Sequence, residues 1–119
     1  MTKTTIDPEV ARHFDGKAQN VRATYDAVLS ASRKFGRVVE EPKKTSIHLT
    51  NRTAFAGVQT RREYLILTIK STRDIESGRV WKREQTSPNR WHLEVKLETP
   101  ADVDVELKSW LRDAYVMSA

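Results

Sequence analysis

The chain has 119 residues, 38% of them hydrophobic and 31% charged, the size and make-up of one ordinary domain able to bury its own core. It has no cysteine, which removes disulfides, thiolate metal sites and a cysteine nucleophile, and no stretch nears the roughly 20 apolar residues of a membrane-spanning helix. A net charge of +5 favours anionic partners, with solubility alone as the plainer use of that charge.

The charge is uneven. Residues 33–90 hold 14 Lys and Arg against 6 Asp and Glu, a net +8, while the two flanks together hold 7 against 10, a net −3. The opening MTKTTIDPEV lacks the apolar core of a signal peptide, so no export is expected. Residues 1–6 are expected as a flexible tail. The absence of cysteine suits a cytoplasmic setting.

Asp7-Pro8-Glu9 predicts a helix start: Asp as N-cap, Pro at the first helical position, Glu at the positive end of the dipole. This short helix stops near Gly16. A longer helix is predicted over Lys17–Phe35, with Val21, Tyr25, Val28, Leu29 and Phe35 on one stripe. Gly36 is placed for a left-handed C-terminal position, and Arg33 and Lys34 complement the dipole in the last turn.

The period then changes to two. Val38-Val39 opens a short edge strand that Pro42 ends. Thr45–Leu49 reads as a strand with Ile47 and Leu49 on one face, Ser46 and His48 on the other. Thr50-Asn51-Arg52-Thr53 reads as a tight hairpin turn with Asn51 at positive φ. Ala54–Thr60 is the return strand, in which Gly57 suggests a bulge or a close approach by another group. Tyr64–Lys70 is nearly continuous in apolar residues and is expected to be central. Val80–Gln85 and Arg90–Leu97 are strands about the turn signal Ser87-Pro88-Asn89. Thr99-Pro100-Ala101-Asp102 marks a capping box and a last helix over Pro100–Tyr115, packing through Val103, Leu107, Trp110, Leu111 and Ala114. The expected architecture is a single α+β domain over 1–119: N-terminal helices, an antiparallel sheet of about five strands, and a C-terminal helix packed on the sheet.

In order and spacing, EPKKTSIHL, NRTAFAGV, SPNRWHLEVKL and PADVDVELKSWLRDAY resemble an uncharacterised bacterial family catalogued as domain of unknown function 5655, over about Glu9 to Tyr115. The resemblance implies a compact helix–sheet–helix domain, found as stand-alone small proteins or behind nuclease-like and other uncharacterised modules. It implies a cytoplasmic setting and carries no established activity or catalytic residues.

The residues themselves offer little chemistry for catalysis. Ser46 with His48, and Ser87 with His92, lack a glycine-framed elbow and a third partner. His13, His48 and His92 show no HxxxH or HExxH spacing, and four unclustered glycines make no phosphate loop, so no metal and no cofactor are expected. Asp102, Asp104 and Glu106 are expected to face water in the first helical turns. Glu40 and Glu41, adjacent on an extended segment, point to opposite faces and pair with nearby basic groups. What remains is basic and aromatic. On an extended strand Lys43 and Lys44 also point opposite ways, so only Lys44 falls on the alternation of Ser46 and His48.

The candidate ligand-binding set is therefore Lys44, His48, Arg83, Arg90 and His92, with Thr45 or Ser46 as a neutral donor and Trp81 or Trp91 nearby. The competing use of these cations is to protect a solvated sheet edge. The expected function is a non-catalytic binding module for nucleic acid or another phosphate-bearing ligand, with no membrane partner. Two alternatives stay open: a protein-interaction module or homodimer, and a small-molecule binder or enzyme. The last would have a pocket between the sheet and the last helix, lined by Tyr64, Trp81, Trp91 or Tyr115.

Overall fold

The computed structural model of the chain describes residues 7–118, so the tail expected over residues 1–6 lies outside the described residues. Helix α1 (Pro8–Arg12) starts as expected, with the Asp7 carboxylate accepting from the Glu9 N–H at 2.8 Å. Helix α2 (Gln19–Arg33) buries Val21, Tyr25, Val28 and Leu29 along its apolar stripe. Six strands follow: β1 (Val39–Pro42), β2 (Ile47–Thr50), β3 (Ala54–Thr60), β4 (Leu65–Ser71), β5 (Val80–Ser87) and β6 (Arg90–Leu97). A single 3₁₀ turn (Pro100–Asp102) leads into α3 (Val105–Met117). This is the α+β architecture expected, with six strands where about five were read.

The strands form one antiparallel sheet in the order β1-β2-β3-β4-β6-β5. The first four run as a meander. The chain then passes the place of β6 to lay β5 at the far edge, and returns as β6 between β4 and β5. One sheet face joins Ile47, Leu49, Val58, Leu65, Leu67, Leu93 and Val95 to Val21, Val28, Leu107 and Leu111 in a single core. Each such side chain contributes about 1.5–3 kcal/mol by leaving water. The alternate residues His48, Thr68, Lys70, His92, Glu94 and Lys96 are left on a face that carries no helix. Ile66 is the apolar exception on that face, 1% exposed, and its cross-strand partner Lys96 lays its ammonium over the Tyr64 ring at 4.4 Å.

Several local expectations are corrected. The β2–β3 connection does not use a positive φ at Asn51; among the described residues only Gly16 and Gly36 have one. It is held instead by tertiary bonds, the Arg52 and Thr53 N–H groups donating to the Ser118 carbonyl at 3.0 and 3.4 Å. The bulge near Gly57 falls two residues earlier, where the register shifts between Leu49 and Thr50. The extra residue turns both Phe55 and Ala56 inward, and Phe55 meets Tyr115 edge-on at 5.3 Å. The Thr99–Asp102 capping box starts the 3₁₀ turn, not the last helix: the Asp102 carboxylate accepts from Glu98 N at 2.8 Å and Thr99 N at 3.1 Å. Helix α3 starts later, capped by Asp104, whose carboxylate accepts from Leu107 N at 3.0 Å. Asp104 and Glu106 do more than face water, since both hold Arg79, at 2.8 and 3.1 Å.

Glu40 and Glu41 split between the faces as their adjacency requires. Glu40 turns to the helices, accepts from the Tyr25 hydroxyl and lies 3.6 Å from Arg33, while Glu41 accepts from Thr50 at 2.6 Å. Burial, then the bond to the Glu40 carboxylate, raise the Tyr25 pKa well above the ordinary phenol range. The unfolded phenol titrates near pH 10, so Tyr25 contributes stability that is full below about pH 10 and lost as pH rises toward the folded value. Its phenolate absorbance is expected to appear only with alkaline unfolding. Tyr25→Phe is expected to flatten the fall of stability above about pH 10 by up to about 1.4 kcal/mol per pH unit, measured by urea unfolding. A Tyr25 phenolate formed in the folded protein would sink this reading.

Candidate functional site

The register lays side chains in rows across the open face. One row runs Glu41, His48, Gly57, Thr68, Glu94, Lys82 through all six strands. Beside it Lys70, His92 and Glu84 are aligned, and on the other side Gln59, Ile66 and Lys96. Gly57 stands in the middle of the first row and contributes no side chain. The result is a trough of about 220 Å³, walled by Ser46, His48, Gln59, Thr68, Lys70 and His92 and floored by the Ala54–Gly57 stretch of β3. His48 on β2 and His92 on β6 stand three strand spacings apart, about 14 Å.

The chemistry of the lining is one-sided. Among the described residues it offers one ammonium, two imidazoles, two hydroxyls and an amide, and no carboxylate. The carboxylates of this face stand outside it, Glu41 beside His48 and Glu84 beside His92 on the outer strands, with Glu94 drawn 3.9 Å from Lys82. Gly57 itself has no positive φ, and a Cβ built on it would meet only the His48 ring, at 3.7 Å.

Of the five residues singled out in the sequence, the structure brings two together: His48 and His92 wall the same trough. Lys44 is elsewhere. It lies in the β1–β2 turn, closed by Lys43 N donating to the Ser46 carbonyl at 2.7 Å, so strand alternation does not apply to it. Lys43 and Lys44, read as pointing to opposite sides, line one exposed hollow with Arg12 and His13, whose ring nitrogen Nε2 is 2.9 Å from the Lys43 carbonyl oxygen. Arg83 is held by Asp74 at 2.7 Å and donates to the Ile75 carbonyl. Arg90 is exposed at the tip of the β5–β6 hairpin. Four trough residues were missed: Gly57, Gln59, Thr68 and Lys70. Lys70 shares the alternation of Thr68 along the central strand, which was the available signal, and Gly57 was marked as a close approach without a partner.

The four aromatic residues expected around a sheet–helix pocket do not meet. Tyr64 lies under Lys96, Trp81 is 60% exposed on β5, Trp91 packs on the core, and the Tyr115 hydroxyl donates to the Arg37 carbonyl at 2.9 Å. Arg79 is committed to α3: burial opposes its charge, but the bonds to Asp104 and Glu106 outweigh that and raise its pKa. Among the described residues no group of three or more His, Asp or Glu is placed to hold a metal ion, and no helix is long and apolar enough to cross a membrane.

No match was found among curated proteins or among solved structures. A family model does match, over residues 10–118, and its description is Domain of unknown function (DUF5655). That span takes in every strand of the sheet, the trough and the whole of α3, so the chain belongs to the DUF5655 family.

Proposed function

We propose that this domain is a non-catalytic binding module that takes a small anionic, phosphate-bearing ligand in the trough over Gly57. The observation that carries the reading is the glycine itself. A glycine inside a strand costs about 0.5–1 kcal/mol relative to alanine. Such a residue normally answers a positive φ, a bulge or a tight contact, and none of these occurs at Gly57. What its missing side chain does produce is the trough. Lys70, the hydroxyls of Ser46 and Thr68, and both imidazoles then converge as donors on a space that no carboxylate of the described residues lines. Binding is favoured over catalysis because the two histidines face each other across the trough rather than touching. Neither makes a side-chain hydrogen bond to a nucleophile among the described residues.

A protein-interaction surface has less support. The exposed edge strand β5 is broken by register shifts at Val80/Lys82 and Gln85/Ser87 and carries Lys82, Arg83 and Glu84, features that block edge pairing.

Gly57→Leu is expected to leave the fold intact, with stability unchanged or raised by up to about 1 kcal/mol, because the backbone there suits any residue. In thermal-shift titrations with inorganic phosphate, sugar phosphates and nucleoside monophosphates, the wild type is expected to gain melting temperature with at least one probe. Gly57→Leu should abolish that gain and Lys70→Ala should weaken it by about tenfold. A folded Gly57→Leu protein that keeps the full shift would refute the trough as the site.

A further inference from the structure

We infer that the end of the sheet beside the trough is a contact surface for the phosphates of single-stranded nucleic acid, one nucleotide of which enters the trough; the second clause rests on the trough reading above. At this end β2 and β4 finish and β3 and β6 begin, through the pairs Thr50↔Ala54, Ser71↔Trp91 and Ser87↔Arg90. The end of α3 joins them, its Ser118 carbonyl holding Arg52 and Thr53 and its Tyr115 hydroxyl holding Arg37. Residues distant in sequence thus gather at one pole: Lys34, Arg37, Arg52, Lys70, Arg73, Arg90 and Arg112. Lys70 is half-buried and the rest are exposed, and none is in an ion pair among the described residues. A hollow of about 310 Å³ unites Lys70, Arg73 and Arg112, and a second unites Lys34 and Arg112; among the described residues Asp113 is the one carboxylate lining either.

Two ordinary uses of surface cations do not account for this pole. Helix C-termini attract Lys34, but Arg52 and Arg73 sit in strand connections and Arg90 opens β6. Edge protection needs cations along edge strands, whereas Arg52 and Arg73 adjoin the interior strands β2, β3 and β4. Seven cations spread from Arg37 to Arg90 exceed what one small anion can engage, so the matching ligand carries its charges in series. Five of the seven are arginines, whose planar fork fits phosphate oxygens in pairs. Lys70 lines both the trough and the hollow at the pole, which links them. A trough of about 220 Å³ takes one unstacked nucleotide, which a single strand can present and a duplex cannot.

The test is fluorescence anisotropy with a labelled oligothymidylate and a duplex of equal length across a salt series. It compares wild type, Arg52→Glu with Arg73→Glu at the pole, Lys17→Glu with Arg62→Glu at the opposite end, and Gly57→Leu. The pole pair is expected to weaken single-strand binding at least tenfold and to lower the salt slope by about 1.4, two phosphates' worth. The opposite-end pair should change affinity by less than about twofold, and duplex should bind more weakly than single strand. Equal salt slopes in the two charge-reversal pairs, or a preference for duplex, overturn the inference. If the pole pair has its effect and Gly57→Leu has none, the pole stands and the trough reading is the one that fails.

Discussion

Trp110→Ala is expected to lower the unfolding free energy by about 3–5 kcal/mol, a fall in melting temperature of roughly 12–20 °C for a domain of this length. Trp110 is 7% exposed and sits in the stripe of α3 that carries Leu107, Leu111 and Ala114 into the core. Its loss does more than open a cavity. The Arg79 guanidinium lies 5.7 Å from the centre of the Trp110 ring while bonding to Asp104, Glu106 and the Asp102 carbonyl. The ring is thus one wall of the clasp that ties the β4–β5 connection to the start of α3. A double-mutant cycle with Arg79→Ala is expected to return a coupling of about 0.5–1 kcal/mol, the share due to the cation over the ring. A loss under about 1 kcal/mol for Trp110→Ala, measured by urea unfolding, would mean that α3 presents a different face to the sheet.

The strands were legible in sequence because a half-buried sheet writes its own period. Ile47 and Leu49, or Leu93, Val95 and Leu97, declare a buried face at every second position, and they also place His48 and His92 on the other side. Partner choice leaves no such local mark. Nothing within Arg90–Leu97 says that it lies between β4 and β5 rather than at the edge, yet that crossover decides that His92 aligns with Lys70 and shares a trough with His48. Lys44 went astray for a related reason. Pro42 was read as ending β1 inside an extended segment, when the four residues Lys43–Ser46 close a hairpin through a backbone bond. Alternation is meaningful only once the turn is located, and a lysine pair carries no turn signal. The basic pole was beyond any local reading: Lys34, Arg73 and Arg112 belong to three different elements and meet only because strand ends and helix ends coincide. The net positive charge of residues 33–90 was visible, but not its concentration at one end.

The opposite behaviour of two glycines gives the sharpest check on these arguments. Gly36→Ala is expected to cost about 2–5 kcal/mol. Gly36 follows the C-cap of α2, Lys34, by two residues and has φ +151°, a conformation that a side chain resists and one that differs from the left-handed helical turn expected there. A Cβ at this place would also collide with the Tyr115 hydroxyl and lie 3.3 Å from the ring carbon that bears it. Tyr115 cannot easily yield. Its hydroxyl donates to Arg37, and its ring packs between Phe35 at 5.8 Å and Phe55 at 5.3 Å, so the methyl group would push apart the end of α2, β3 and α3 together. Tyr115→Phe alone should cost about 1–2 kcal/mol for the lost bond. Combined with Gly36→Ala it should recover the collision but not the backbone strain, so the double variant is expected to be more stable than the sum of the two singles predicts. Strict additivity would show that the collision is relieved without cost. Gly57 sits in the same domain with neither constraint, so a larger residue there should hold or raise stability while closing the trough. If Gly36 and Gly57 substitutions were equally destabilising, Gly57 would be serving the fold, and the case that its empty space serves a ligand would lose its physical basis.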